Sequence, residues 1–295
     1  MAAAQSQHLG HAFILVAPVQ ILLAVVIFIP ALWVFWLSLN ESTFGRSATF
    51  VGLANYAHIL RDPYFWRALV NTVVVVAIVV HLELLLGLGI ALLFASGVPL
   101  KPLMLAAVLA PYAVSEVSAV VMWRFLFDFD IGLVTRAIVA LGLPNLEWSV
   151  RPDHGLAIIS LLSVWLHLPF TFVILYAARL AIPGELYEAA AIDGANAWAR
   201  FRRITLPLLW PAMLVAMIFR YIFAFRLFSE VWLMTKGGPA RQTEVLAVYL
   251  YLEAFRYNAF GVAAATGWLL VLVSLVLAMW YLRRLYKSMF AADAA

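Results

Sequence analysis

Six stretches of this chain are long and apolar enough to cross a lipid bilayer: residues 12–37, 68–96, 103–127, 155–180, 208–233 and 259–282. A membrane helix needs about 20 mostly apolar residues. Lipid supplies no partner for a backbone N–H or C=O, so each stretch must satisfy its own groups as a helix. The alternation that marks a membrane β-strand is missing from these runs. The chain is therefore predicted to be an all-α integral membrane protein with about six transmembrane helices. Composition agrees. Hydrophobic residues make up 66% and charged residues 12%, where a soluble domain carries about 25% charged residues. Mean hydropathy is +1.01.

Other classes fall away on composition. With no cysteine there is no disulfide framework, thiolate nucleophile or cysteine metal site. The net charge of +4 is small and scattered, so no nucleic-acid partner is expected. The first apolar run lacks a basic leader and a small-residue cleavage site, and reads as a retained anchor. Its Pro18 and Pro30 are tolerable where neighbouring groups satisfy the freed carbonyls. No internal repeat supports an inverted-repeat carrier. Six spans put both termini on one side. The concentrated clusters ARFRR (199–203) and LRRLYK (282–287) place that side in the cytoplasm.

Between the fourth and fifth runs lies a compact polar stretch, ELYEAAAIDGANAWARFRRITLP, from Glu185 to Pro207. Pro183 and Gly184 precede it, and Glu185 and Glu188 suit the positive end of a helix. Ala189–Ala191 favour a helix, Gly194 favours a left-handed stop, and a second short helix is expected from Ala195 to about Ile204. The stretch reads in two ways. It is an interfacial amphipathic helix anchored by Trp198 and arginines, or a knob whose small alanines admit close approach to a partner.

Glu188-Ala189-Ala190, Gly194, Ile204, Leu206 and Pro207 together resemble the EAA loop of binding-protein-dependent ABC importer permeases. The resemblance is strongest to carbohydrate permeases of the maltose-type first-subunit family. FVGLANY (50–56), APYAV (110–114), AIPGELYEAAAIDGA (181–195) and TKGGPARQT (235–243) extend the likeness over most of the chain. Some members carry two extra leading helices and a large external domain, for which this chain has no room.

The resemblance implies a single transmembrane domain over residues 1–295, with a cytoplasmic EAA loop over 184–207. It implies a bacterial cytoplasmic (inner) membrane protein that works with a second homologous permease, two ATP-binding subunits and an external solute-binding protein. Glu188, Ala189, Ala190, Asp193, Gly194 and Ala195 would then couple to the ATPase. ATP and Mg2+ would sit on the partner subunits, with no cofactor bound directly by this chain and no catalysis of its own. The sequence has no G-x-x-x-x-G-K-[ST] phosphate loop.

Ionisable residues inside the spans are functional candidates: His81, Glu83, Glu116, Arg124, His167, Arg220, Arg226 and Glu230. Arg124 can snorkel to an interface, and Arg226 with Glu230, four apart, can pair on one helix face. Three sets fall at helical spacing: Tyr112 with Glu116; Ser163, Leu166, His167 and Phe170; and Arg220, Ala224 and Leu227. By resemblance these match sugar-lining positions. The arginine at 220 departs from the small polar residue expected there. A guanidinium binds carboxylate, sulfonate or phosphate in a fork. Two alternatives follow. The substrate is a sugar acid, sulfo-sugar or glycerophosphate-like solute, or Arg220 pairs with Glu116 and the substrate is a neutral sugar. The pocket belongs to this subunit or to its partner permease. Two further classes compete with the permease: a stand-alone proton-coupled transporter using Glu83, Glu116 or His167, and an intramembrane enzyme. No paired Asp motif or H-E-x-x-H sequence supports the enzyme.

Overall fold

The computed structural model describes residues 2–290; Met1 and residues 291–295, which the single-domain reading includes, lie outside the described residues. In chain order the elements are α1 (Ala2–Ser38), β1 (Asn40–Glu41), β2 (Thr49–Phe50), α2 (Ala54–Arg61), α3 (Pro63–Ala95) and α4 (Lys101–Leu109). Then come α5 (Glu116–Leu126), α6 (Leu133–Ala140), α7 (Pro152–Leu180), α8 (Glu185–Ile192) and α9 (Ala197–Arg200). The chain ends with α10 (Leu206–Ala224), α11 (Ser229–Met234), α12 (Leu246–Tyr251) and α13 (Phe260–Phe290). Among the described residues it is an all-α membrane protein apart from a two-stranded antiparallel ladder pairing Asn40 with Phe50. Among them, too, five helices are long and apolar enough to cross a bilayer, and one bent pair passes the same test when its two helices are taken together.

The chain divides into two compact units, Met1–Asp62 with Leu250–Leu269, and Pro63–Tyr249 with Leu270–Ala295. In the first unit, Asn55 is the organising polar residue. Its buried amide donates to the carbonyls of Ser38 at 2.8 Å and Asn40 at 2.9 Å. The chain leaving α1 is thereby tied to α2. Phe35 meets Trp268 edge-on at 5.4 Å. Val16–Ser38 of α1 buries almost nothing within the chain, as expected of a helix whose neighbours are lipid or another subunit. Replacing Asn55 by Ala strands two buried carbonyls, a loss of about 1–3 kcal/mol. Limited proteolysis between residues 40 and 60 is expected to speed up about tenfold or more in Asn55→Ala. An unchanged rate would show that the two hydrogen bonds contribute little.

The second unit is built on α3 packed along α7. Val76, Val80, Leu84, Leu88 and Ala91 of α3 recur at three- and four-residue steps and meet Phe172 and Leu175 of α7, with Leu209 and Met213 of α10 completing the core. Gly87 permits this closeness: a Cβ there would lie 3.0 Å from Thr171 Cγ2 and 3.3 Å from the Phe172 nitrogen.

Three expectations need correction. The run 103–127 is not one helix. It bends by 103°, because Pro111 sits in a 3₁₀ turn (Ala110–Ala113), Val114 is extended, and Ser115 starts a new helix by accepting the Ser118 N–H at 3.2 Å. The run 208–233 also breaks. α10 ends at Ala224, the Arg226 and Leu227 amides close tight turns onto Phe223 and Ala224, and α11 begins at Ser229. Finally, no separate helix spans Ala195 to Ile204. Asn196 caps α9 by accepting the Ala199 N–H at 2.8 Å, and a π turn over Phe201–Thr205 carries α9 directly into α10.

Candidate functional site

Both helix breaks open onto one cavity of about 560 Å³. Backbone freed from helical pairing at membrane depth is tolerable where it lines such a space. The α4–α5 corner brings Tyr112 and Glu116 to it; α7 contributes Ser163, Leu166, His167 and Phe170; α10 and the break after it contribute Arg220, Ala224 and Leu227. The nine positions picked out by helical spacing thus converge on one space. Val114, Phe223, Arg226, Phe228, Ser229 and Glu230 also line it. Val114 and Phe228 join because the breaks turn them inward, which no periodicity signals. Phe170 meets Phe219 at 6.3 Å and Phe223 at 6.4 Å, edge to face, so an aromatic wall stands beside the polar groups.

Arg220 does not pair with Glu116. Its fork is taken by Glu83 of α3, with Nε to Oε2 at 2.5 Å and Nη2 to Oε1 at 2.7 Å. The two side chains are 3% and 0% exposed. Removing either partner from so buried a pair leaves an uncompensated charge. Arg226 and Glu230 form no ion pair among the described residues, because the break between α10 and α11 removes the helical geometry that would bring them together. The His167 ring nitrogen Nδ1 lies 2.9 Å from the Ser163 carbonyl. A carbonyl only accepts, so Nδ1 is the donor in this contact. Arg124 has a structural partner: its Nη1 donates to the Leu233 carbonyl at 3.1 Å, tying α5 to the end of α11. His81 lies outside the cavity lining, its Nδ1 2.8 Å from the Ala77 carbonyl and its ring edge-on to Tyr221 at 6.1 Å.

The second site is the stretch between α7 and α10. α8 carries Glu185 and Glu188 in its first turn, ends at Ile192 and is followed by Asp193 at its C-cap; Gly194 then turns the chain at φ +77°. Glu188, Ala189, Asp193 and Gly194 are exposed, while Ala190 and Ala195 are half-buried. Ala190, Asp193, Gly194, Ala195, Arg200 and Arg203 border a surface hollow of about 470 Å³. Two large apolar side chains stand out beside it, Ile192 at 87% and Trp198 at 67% exposure. The element is braced at its base: the Tyr187 hydroxyl meets Thr205 Oγ1 at 2.9 Å, and Arg179 stacks on the Tyr187 ring at 4.4 Å. It is a braced helix–corner–helix that presents small residues, acidic groups and two apolar knobs.

The Gly-Gly-Pro segment after α11 is also ordered. Thr243 Oγ1 donates to the Gly238 carbonyl at 2.7 Å, and Asn71 Nδ2 donates to the Gln242 and Glu244 carbonyls, each at 2.8 Å. Arg241 pairs with Glu244 and stacks over Tyr64 at 4.1 Å. In the segment after α5, Asp128 accepts the amides of Ile131 and Asp130, which hold its carboxyl below the usual range.

Comparison with known proteins places these two sites in context. The family described as "Binding-protein-dependent transport system inner membrane component" matches residues 9–290. The trehalose/maltose transport system permease MalF of Thermococcus litoralis is 33% identical over 92% of this chain and 92% of its own. The sulfoquinovosyl glycerol transport system permease SmoG of Agrobacterium fabrum is 34% identical over 92% of this chain and 89% of its own. Among solved structures, a chain of a bacterial ABC transporter involved in import of the acidic polysaccharide alginate superposes with a TM-score of 0.79. It is 20% identical, over 97% of this chain and 98% of that one, a likeness of fold.

Proposed function

This chain belongs to the family of binding-protein-dependent transport system inner membrane components, and we propose that it is the permease subunit of an ATP-driven importer for a carbohydrate. The observation that carries the ATP-driven part is the helix–corner–helix of α8 and α9. Its exposed Ile192 and Trp198 and its small alanines suit insertion into a cleft of a separate ATP-binding subunit. A stand-alone proton-coupled carrier has no use for such an element. The carbohydrate part rests on the named substrates of the two relatives and on a cavity that sets aromatic rings beside hydroxyl-binding groups.

In this reading a second homologous permease completes the pore, two ATP-binding subunits carry ATP and Mg2+, and an external binding protein delivers the solute. The chain lies in the bacterial inner membrane with both termini cytoplasmic, which puts the α8 corner on the same side as the ATPase. Closure of the ATPase moves α8; Tyr187 and Thr205 pass the motion to α10, whose far end lines the cavity. Alternating access is then a re-aiming of the broken helices around that cavity. Arg220 offers no free fork for an acidic group while Glu83 holds it, so the substrate's charge is not set by Arg220 alone.

The test is ATP hydrolysis by the complete assembly in lipid nanodiscs. Binding protein loaded with a transported sugar is expected to stimulate it several-fold over empty binding protein. Equal rates with loaded and empty protein, across neutral and acidic sugars, would count against an importer. Within the same assembly, Phe170→Ala removes one face of the aromatic wall. Sugar binding measured by saturation-transfer NMR is expected to weaken about fivefold, the size of one aromatic contact of about 1 kcal/mol. Unchanged binding would move the sugar off this wall.

A further inference from the structure

Glu83 stands behind the cavity wall, not on it. It lies on α3, fully buried, and both its oxygens are engaged by Arg220 of α10. Arg220 in turn faces the cavity. Two of its three guanidinium nitrogens, Nε and Nη2, are committed to Glu83. The third, Nη1, donates to no protein acceptor among the described residues, and it is not one of the buried unpartnered atoms. Because Arg220 lines the cavity, Nη1 is the nitrogen left to meet a solute there.

The pairing also fixes the charge that a solute meets. Glu83 cancels Arg220 at contact distance in a buried pair. What remains on the lining is Arg226 against Glu116 and Glu230. A lone arginine in a low-dielectric wall would attract a carboxylate or sulfonate strongly. A neutralised one is a directed hydrogen-bond donor with little net pull on an anion. We infer that Glu83 is a positioning residue that prepares this cavity for an uncharged carbohydrate. It holds Arg220 so that Nη1 donates to a sugar oxygen, and it cancels the charge that would otherwise favour an acidic sugar. The inference rests on the carbohydrate-permease reading and adds to it the substrate's charge class. A pair that merely braced α3 against α10 would affect stability and leave selectivity alone.

Saturation-transfer NMR on the assembled complex in nanodiscs separates these roles. Maltose and trehalose serve as neutral probes, and sulfoquinovosyl glycerol and a glucuronic acid disaccharide as anionic ones. The wild-type complex is expected to bind the neutral probes better. In Glu83→Gln, which keeps the shape and one acceptor, the ratio of anionic to neutral affinity is expected to rise about tenfold or more, the scale of a charge-assisted hydrogen bond. Glu83→Asp, which keeps the charge, is expected to stay near the wild-type ratio. Should Glu83→Gln not assemble, the double variant Glu83→Met with Arg220→Met decides. It replaces the pair by apolar groups of similar length, a change that buried pairs often tolerate. It is expected to lose neutral-sugar affinity several-fold with no gain for anions.

Three results would overturn the inference: wild-type preference for the anionic probes, an unchanged ratio in assembled Glu83→Gln, or wild-type sugar binding in the double variant. Sugar-dependent ATP hydrolysis in the same nanodiscs reports on the importer reading separately, because binding seen by NMR does not require it.

Discussion

Gly194→Val is expected to disconnect sugar binding from ATP hydrolysis. Gly194 holds φ +77° at the corner after α8, where a β-branched residue is strained by about 1–3 kcal/mol. No atom lies within 4 Å of the position a Cβ would take, so the penalty is one of backbone conformation and not of crowding. The chain relieves it by opening the corner, and that moves Ile192 and Trp198, the two exposed apolar side chains on either side of it. ATP hydrolysis stimulated by loaded binding protein is expected to fall at least tenfold. Sugar binding in the cavity, formed by other helices, is expected to stay within about twofold, a difference of about 0.4 kcal/mol. Gly194→Asn should be much milder, because asparagine tolerates the left-handed region. Full coupling in Gly194→Val would remove the corner from the mechanism.

The second large effect concerns the buried pair. Glu83→Leu or Arg220→Met alone leaves one charge buried without its partner, and each is expected to destabilise the chain by about 3–5 kcal/mol. The double variant Glu83→Leu with Arg220→Met should recover most of that loss, since apolar residues of similar volume often replace a buried pair at little cost. Thermal unfolding of the four proteins in nanodiscs closes the cycle, and an interaction term above about 2 kcal/mol is expected. Additive single effects would mean that water reaches the pair and screens it, and Arg220 would then not be a neutralised donor.

These two features differ in how far they can be read from sequence. The corner is nearly explicit. Two acidic residues open its helix, Ala189–Ala191 sustain it, and Asp193-Gly194 stop it. All of that is local chemistry within a dozen residues. The segment beyond the corner is less legible, because Pro207 reads locally as the first turn of a new helix while the π turn at Phe201–Thr205 carries α9 directly into α10. The pair is at the other extreme. Glu83 and Arg220 are 137 residues apart, and each reads locally as one more ionisable group in an apolar run. Only the packing of α3 and α10 against α7 brings them together.

The membrane helices show the same division. Runs near 68–96 and 155–180 emerge as α3 and α7 with small changes at their ends, because length and hydropathy suffice for an unbroken helix in lipid. The runs 103–127 and 208–233 are equally apolar, yet both break. Pro111 and Ser115 hint at the first break. The second, at Phe225–Phe228, contains neither proline nor glycine and is set by tertiary surroundings. Ser163 and His167 on α7 and Arg220 on α10 keep the helical spacing, whereas Tyr112 reaches the same cavity from the 3₁₀ turn of the first break. Arg226 and Glu230 straddle the second one, and the pair that spacing proposed between them does not form.

Import powered by a separate ATPase is tested most directly by uptake into proteoliposomes that contain the complete assembly, with ATP trapped at the face bearing α8 and sugar-loaded binding protein outside. Sugar is expected to accumulate only with hydrolysable ATP, to keep accumulating when the proton gradient is collapsed, and to stop doing so in Gly194→Val. Accumulation that follows an imposed proton gradient without ATP would contradict this and make the chain a carrier in its own right.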